Sequence, residues 1–112
     1  MIDDDFMFRL ANLKQARTGL PVVVWIEVKP SEGYEIPQLL LQLHPDTNPN
    51  EWIPISLDSK NPHILQSESG HNISSAQFDA IKRWIIKNYQ PLMAYWNCEI
   101  DTVEVIAKLR KL

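Results

Sequence analysis

Residues 20–30 read "LPVVVWIEVKP", and this stretch decides how the chain folds. β-branched and aromatic residues fill it and prolines stand near both ends, a pattern that predicts a β-strand. Alternate side chains of a strand point to opposite faces, here Val22, Val24, Ile26 and Val28 against Val23, Trp25 and Glu27. Because both faces are mostly apolar, we expect this strand to lie inside a sheet.

The same alternation predicts two further strands. Residues 36–46 read "IPQLLLQLHPD" and residues 52–58 read "WIPISLD". Their inward rows are Leu39, Leu41 and Leu43 in the first stretch and Ile53, Ile55 and Leu57 in the second. The links between the strands are too short for crossover helices, so the sheet should be antiparallel.

Two features concern the edge of this sheet. Pro54 lies in the outward row and has no N–H group to donate, which predicts an edge strand, a bulge or a strand start. Residues 63–67, "HILQS", are interpreted as a short fourth strand.

The opening of the chain is less regular, and two interpretations stay open. Residues 3–21, "DDDFMFRLANLKQARTGLP", can form a short helix that Asp4 or Asp5 caps and Gly19 follows. Phe6, Leu10 and Leu13 would then share one face. The alternative is an extended segment lying across the domain, as termini often do.

The second half of the chain is predicted to be helical. Ser74 and Gln77 form a capping box, with Ile73 and Phe78 at the hydrophobic-staple positions. The apolar stripe consists of Phe78, Ile81, Ile85 and Tyr89, with Trp84 beside it, and Lys82, Arg83 and Lys87 face away. Pro91 either kinks this helix or starts a new segment.

A second capping box, Asp101 with Glu104, has Ile100 and Val105 at its hydrophobic-staple positions and predicts a last helix in "TVEVIAKLRKL", residues 102–112. Val103, Ile106 and Leu109 should pack on the body of the domain. The predicted fold is α+β: an antiparallel sheet of three or four strands with C-terminal helices packed on one face. Residues 1–112 form one domain, strand-rich over 20–68 and helical over 74–112.

Composition narrows the classes of function. A net charge of −3 argues against a protein whose main work is binding the nucleic-acid backbone. The single cysteine fits a reducing compartment. The start "MIDDDFMFRL" is acidic where a signal peptide is basic, and no apolar run approaches the ~18 residues of a membrane span. We therefore expect a cytoplasmic protein without a membrane segment.

Cys98, in "YWNCEID" (residues 95–101), is the only candidate thiol nucleophile. A helix N-terminus nearby could activate it, but Glu99, Asp101 and Glu104 surround it, and like charge disfavours a thiolate. The sequence around it matches no catalytic cysteine motif. A small residue in a tight turn is the better interpretation.

The histidines His44, His63 and His71 show no helical i, i+4 spacing and no zinc-ligand pattern. No phosphate-binding loop is recognisable either, since the three glycines are far apart. We expect no metal and no cofactor.

Four tryptophans are many for 112 residues. Core packing is the ordinary explanation, and an aromatic partner surface is the alternative, because tryptophan is enriched at binding hot spots. Trp52, after a polar loop, is the best candidate for exposure, and Trp84 adjoins Arg83. The candidate partner surface is therefore Trp52, Arg83 and Trp84.

Residues 78–112, "FDAIKRWIIKNYQPLMAYWNCEIDTVEVIAKLRKL", resemble the C-terminal part of a group of short, mostly uncharacterised bacterial proteins. Residues 8–26, "FRLANLKQARTGLPVVVWI", are similar to their run into the first strand. The "YW" helix is also distantly similar to small domain-of-unknown-function proteins found beside toxin–antitoxin-like gene pairs. The resemblance implies a bacterial source and a glycine where this chain has Cys98.

These observations favour a non-enzymatic protein-interaction domain. The resemblance implies a toxin–antitoxin or mobile-element accessory. A homodimer or a protein partner joined at a sheet edge is expected. One alternative is a small enzyme that uses His63, His71 or Cys98 in a cleft between sheet and helix. Another is weak RNA binding through tryptophan and the basic helix face of Lys82, Arg83 and Lys87, which the net charge disfavours.

Overall fold

The computed structural model describes residues 10–20, 22–29, 36–43, 52–65 and 73–112. The elements in chain order are β1 (Leu10–Leu13), α1 (Gln15–Thr18), β2 (Val23–Glu27), β3 (Gln38–Gln42), β4 (Ile53–Ser56), α2 (Ser75–Lys87), α3 (Tyr89–Trp96) and α4 (Thr102–Lys108). The predicted α+β class with an antiparallel sheet and C-terminal helices is confirmed. Within the described ranges, no helix has the length and apolar character needed to cross a membrane.

The sheet is an antiparallel meander in the order β1-β2-β3-β4, so β2 lies inside it as predicted. Its register aligns apolar side chains in two rows across all four strands. The rows are Leu13–Val24–Leu41–Ile53 and Ala11–Ile26–Leu39–Ile55. All but Ala11 are nearly or completely buried, so these rows form the sheet half of the core.

The helices cover this inner face and supply the other half of the core. Ile81, Trp84 and Ile85 of α2 are completely buried, while Phe78 and Tyr89, at the ends of the predicted stripe, are half-buried. Leu92, Tyr95 and Trp96 of α3 and Val105 of α4 join the same cluster. The predicted burial of the Ile81 and Ile85 side of the helix is therefore confirmed.

Local sequence signals set the helix boundaries. Both predicted capping boxes are present, Ser74 with Gln77 at α2 and Asp101 with Glu104 at α4. The last residue of α2 is Lys87. To continue the helix, its carbonyl would have to accept from the amide four residues later, but that residue is Pro91, which has no N–H group. The proline thus separates α2 from α3.

The helix predicted over the opening of the chain is wrong for Leu10–Leu13, which form β1. An extended segment puts Ala11 and Leu13 on the core side and gives their backbone a partner in β2, which outweighs the weak helical spacing of Leu10 and Leu13. Of the described residues in this opening stretch, Gln15–Thr18 alone are helical. Gly19 follows them with φ +78°, the glycine stop that the sequence predicts. Asp4, Asp5 and Phe6 lie outside the described residues.

The predicted strand at residues 63–67 is reduced to a single bridge, Ile55 to Ile64, and residues 66–67 lie outside the described ranges. The fourth strand of the sheet is β1 instead. Pro54 explains the short pairing: its carbonyl accepts from the Leu65 amide, but it has no N–H group to return the bond.

On α4 the predicted burial of Val103 is wrong, because this side chain is 78% exposed. Val105 is the buried residue, and two residues of helix turn a side chain by about 200°. Ile100 packs on the core just before the cap, as the staple arrangement requires, and this selects Val105 as the inward position. Ile106 and Leu109 are half-buried against the core.

We expect Ile81→Ala or Ile85→Ala to lower the free energy of unfolding by about 2–5 kcal/mol, because each deletes a fully buried aliphatic side chain. Urea denaturation measures this loss. Ile86→Ala is the matched control, since Ile86 is on the same helix but 42% exposed, and it should cost much less. Equal losses for the buried and exposed isoleucines would contradict the assignment of the buried face.

Candidate functional site

The structure does not bring the predicted partner surface to the outside of the molecule. Trp52 is 6% exposed and stacks on Trp25, with ring centroids 4.6 Å apart. Trp84 is completely buried between sheet and helices. The prediction that they form an exposed surface is wrong, because both aromatic rings are used for packing. Only Arg83 is exposed, and its Nε lies 3.2 Å from Asp79.

The basic face of α2 lacks the aromatic partner that RNA binding was expected to use. Lys82 lies over the ring of Phe78, with Nζ 5.6 Å from the ring centroid, and Arg83 pairs with Asp79. Trp84, the predicted stacking residue, is inaccessible. Trp84 is therefore not placed to stack on a nucleic-acid base.

His63 lies at the β4 edge, away from the helices. Its Nδ1 is 3.0 Å from Ser56 Oγ and 3.2 Å from the carbonyl oxygen of Asn61, and its backbone N–H donates to Ser56 Oγ. Ser56 is only 3% exposed, so its hydroxyl ties the turn to the strand and is a poor nucleophile for a substrate. His44 and His71 lie outside the described residues.

The turn before His63 is fixed by Asp58. Its carboxylate accepts hydrogen bonds from the backbone amides of Lys60 and Asn61, and these bonds lower the pKa of Asp58 below its ordinary value. Asp58 is half-buried, and the two bonds close a local turn. Across the described ranges, no group of three or more His, Cys, Asp or Glu side chains could hold a metal ion.

Cys98 occupies the left-handed position at the end of α3, with φ +62°. The Glu99 amide donates to the Ala94 carbonyl and the Cys98 amide to the Tyr95 carbonyl, the two bonds of a Schellman motif. The turn interpretation agrees with this geometry. The side chain is exposed next to Glu99 and Asp101, at a position that favours glycine for backbone reasons.

The candidate site that the structure defines is a cleft of about 670 Å³ between the β1–α1 segment and the C-terminal tail. Three of the residues that line it are cationic: Lys14, Arg17 and Lys111. Ile106 and Leu109 contribute apolar surface. None of the described residues that line it has a carboxylate, and none of the three cations pairs with one. We call this feature the basic cleft.

Local structure explains where two of the cations stand. The Arg17 amide donates to the Lys14 carbonyl at 2.9 Å, and this single turn places Lys14 and Arg17 three residues apart on neighbouring positions. This site is not among those that the sequence predicts. Its signal is two short basic runs near opposite ends of the chain, 14–17 and 108–111, which only the fold brings together.

Asn88, at the junction of α2 and α3, positions the third cation. Its Nδ2 donates to the carbonyls of Trp84 and Arg110, and its Oδ1 accepts from the Arg110 amide at 2.8 Å. The Leu112 amide then donates to the Thr18 carbonyl. These bonds hold the tail, and with it Lys111, beside α1.

The chain matches no protein-family model, no curated protein and no solved structure in comparisons with each.

We expect Asn88→Ala to cost about 1–3 kcal/mol of unfolding free energy, because three hydrogen bonds are lost, two of them to part-buried backbone groups of Arg110. Amide hydrogen exchange should also accelerate at Arg110. Asn97→Ala is the control, since Asn97 ends α3 without a side-chain hydrogen bond. Unchanged exchange at Arg110 would show that Asn88 does not hold the tail.

We expect Cys98→Gly to raise the free energy of unfolding by about 0.5–1 kcal/mol. It removes a left-handed strain of roughly 1–2 kcal/mol, offset in part by the roughly 0.5–1 kcal/mol of extra chain entropy that glycine loses on folding. Cys98→Ala keeps the Cβ atom and should bring no such gain. Thermal denaturation of the three proteins compares them, and a glycine variant less stable than the alanine variant would contradict the strain argument.

Proposed function

We propose that this chain is a non-enzymatic protein-interaction domain that pairs with a partner strand along β1. The observation that carries the proposal is the difference between the two edges of the sheet. Beyond β4, the segment 63–65 bonds to the strand, through Ser56 to His63 and Leu65 to Pro54. Beyond β1, the described residues place no further strand.

The direction of the β1 backbone groups follows from the pairing at the other edge. The Ser56 amide points away from β3, toward the segment 63–65. Because N–H and C=O groups change sides at each residue of an antiparallel strand, the register carries this alternation across the sheet. In β1, the backbone N–H and C=O groups of Ala11 and Leu13 therefore point toward β2. Those of Asn12 point away from the sheet.

An outward donor and acceptor on an edge strand are what an added strand uses. Asn12 is exposed, and no backbone hydrogen bond to a described residue occupies its outer side. A second copy of the chain is the simplest partner, because two-fold pairing is the commonest closed symmetry. The positive φ of Cys98 supports the resemblance to the bacterial group, in which glycine is expected at this position.

The test is Asn12→Pro, which removes the outward N–H group and leaves the bonds of Ala11 and Leu13 to β2 intact. Analytical ultracentrifugation should show a concentration-dependent dimer for the unaltered chain and a monomer for Asn12→Pro. Asn12→Ala is the control: it changes the side chain alone and should still dimerise. Circular dichroism checks that both variants are folded.

Hydrogen exchange gives a second measurement that needs no substitution. The Asn12 amide should exchange more slowly as protein concentration rises, since pairing covers it. A chain that stays monomeric at millimolar concentration, with an Asn12 exchange rate independent of concentration, would overturn pairing with a second copy.

A further inference from the structure

The basic cleft and the outer edge of β1 are one continuous surface. Asn12, whose backbone groups face outward, also lines the cleft. A strand laid along β1 would therefore continue past Leu13 into the space between Lys14 and Lys111. The chemistry of the cleft then limits which partner segments fit.

Charge is the first property of the cleft that restricts which ligands fit. The chain as a whole carries a net charge of −3, yet three cations surround this cleft without a described carboxylate among them. A fourth cation is nearby, since Lys87 Nζ donates to the Lys111 carbonyl at 2.7 Å. A cleft lined by charges of one sign attracts ligands of the opposite sign, so an anionic ligand is favoured here.

Apolar surface is the second property that restricts which ligands fit. Ile106 and Leu109 are half-buried in the floor of the cleft, and the aliphatic stems of Lys14 and Arg17 extend the apolar contact that a ligand can make. The volume, about 670 Å³, lies within the roughly 300–1,000 Å³ of pockets that hold drug-sized ligands, so one or two side chains of a peptide would fit. A ligand that matches both properties has carboxylates and apolar side chains.

We propose that the basic cleft binds an acidic, partly apolar peptide segment of the protein that pairs with β1. This inference rests on the proposed function, because the added strand delivers the segment to the cleft. Carboxylates of the segment pair with Lys14, Arg17 and Lys111, and its apolar side chains cover Ile106 and Leu109. Single-stranded RNA is the competing anion, but it has no apolar side chains for this floor.

The probe is a fluorescein-labelled peptide that alternates glutamate and leucine, titrated with the full chain and followed by anisotropy. We expect saturable binding that weakens as salt is added, since exposed charge pairs are screened. Peptides that alternate lysine with leucine, or glutamate with serine, should bind much more weakly. They test the charge requirement and the apolar requirement separately.

The decisive variant is the double substitution Lys14→Glu, Arg17→Glu, which should lower affinity for the glutamate–leucine peptide by at least about tenfold, because attractive pairs become repulsive. The double substitution Lys60→Glu, Arg83→Glu changes the net charge equally on exposed side chains outside the cleft. It should leave the affinity nearly unchanged. Circular dichroism confirms that both variants fold.

Three results would overturn the inference: no binding of the glutamate–leucine peptide, an equal loss with the control variant, or preferential binding of labelled oligouridine. Sedimentation of the same proteins tests the pairing along β1 separately from peptide binding in the cleft. Dimers that form without peptide binding would overturn the cleft inference alone. Peptide binding by a chain that remains monomeric would support the cleft and overturn only the pairing of two copies.

Discussion

The side chain of Asn88 is the constraint on which the arrangement of the candidate site depends. Its amide pairs with both backbone groups of Arg110 and also bonds to the Trp84 carbonyl, so one buried side chain joins two helices to the tail. A side-chain amide can do this because it carries the same donor and acceptor as a peptide group. The Leu112 amide of the tail then donates to the Thr18 carbonyl at the end of α1, beside the cleft.

The two sheet edges differ in what lies beyond them among the described residues. At β4, Pro54 accepts from Leu65 but returns no bond, so the segment 63–65 forms a single bridge and the edge is closed by a short piece of chain. At β1, Asn12 carries both backbone groups and is exposed. Since an exposed edge with both groups is a template for another strand, the interaction proposal concerns β1 and not β4.

Much of the fold could be predicted from the sequence because the signals are local. Alternation gave the faces of β2, β3 and β4, and capping boxes gave the starts of α2 and α4. The signals failed where a competing partner elsewhere in the molecule decided the outcome. Leu10–Leu13 became a strand because β2 supplied backbone hydrogen-bond partners. Val103 is a different case, since the local staple of Ile100 with Val105 sets the buried side of the last helix and leaves Val103 outside. The two tryptophans expected at the surface are buried, since spacing along the chain does not report depth.

The sequence by itself determined which residues alternate, where α2 and α4 begin, and that position 98 belongs in a turn, because each of these depends on neighbours within a few residues. The tertiary structure alone decided the candidate site. Lys14 and Arg17 are about a hundred residues from Lys111, and no local pattern links them. They come together because β1 lies at the edge of the sheet and the hydrogen bonds of Asn88 bring the C-terminal tail back beside it. The positive charge of the cleft therefore comes from the fold, whereas the net charge of the whole chain is negative.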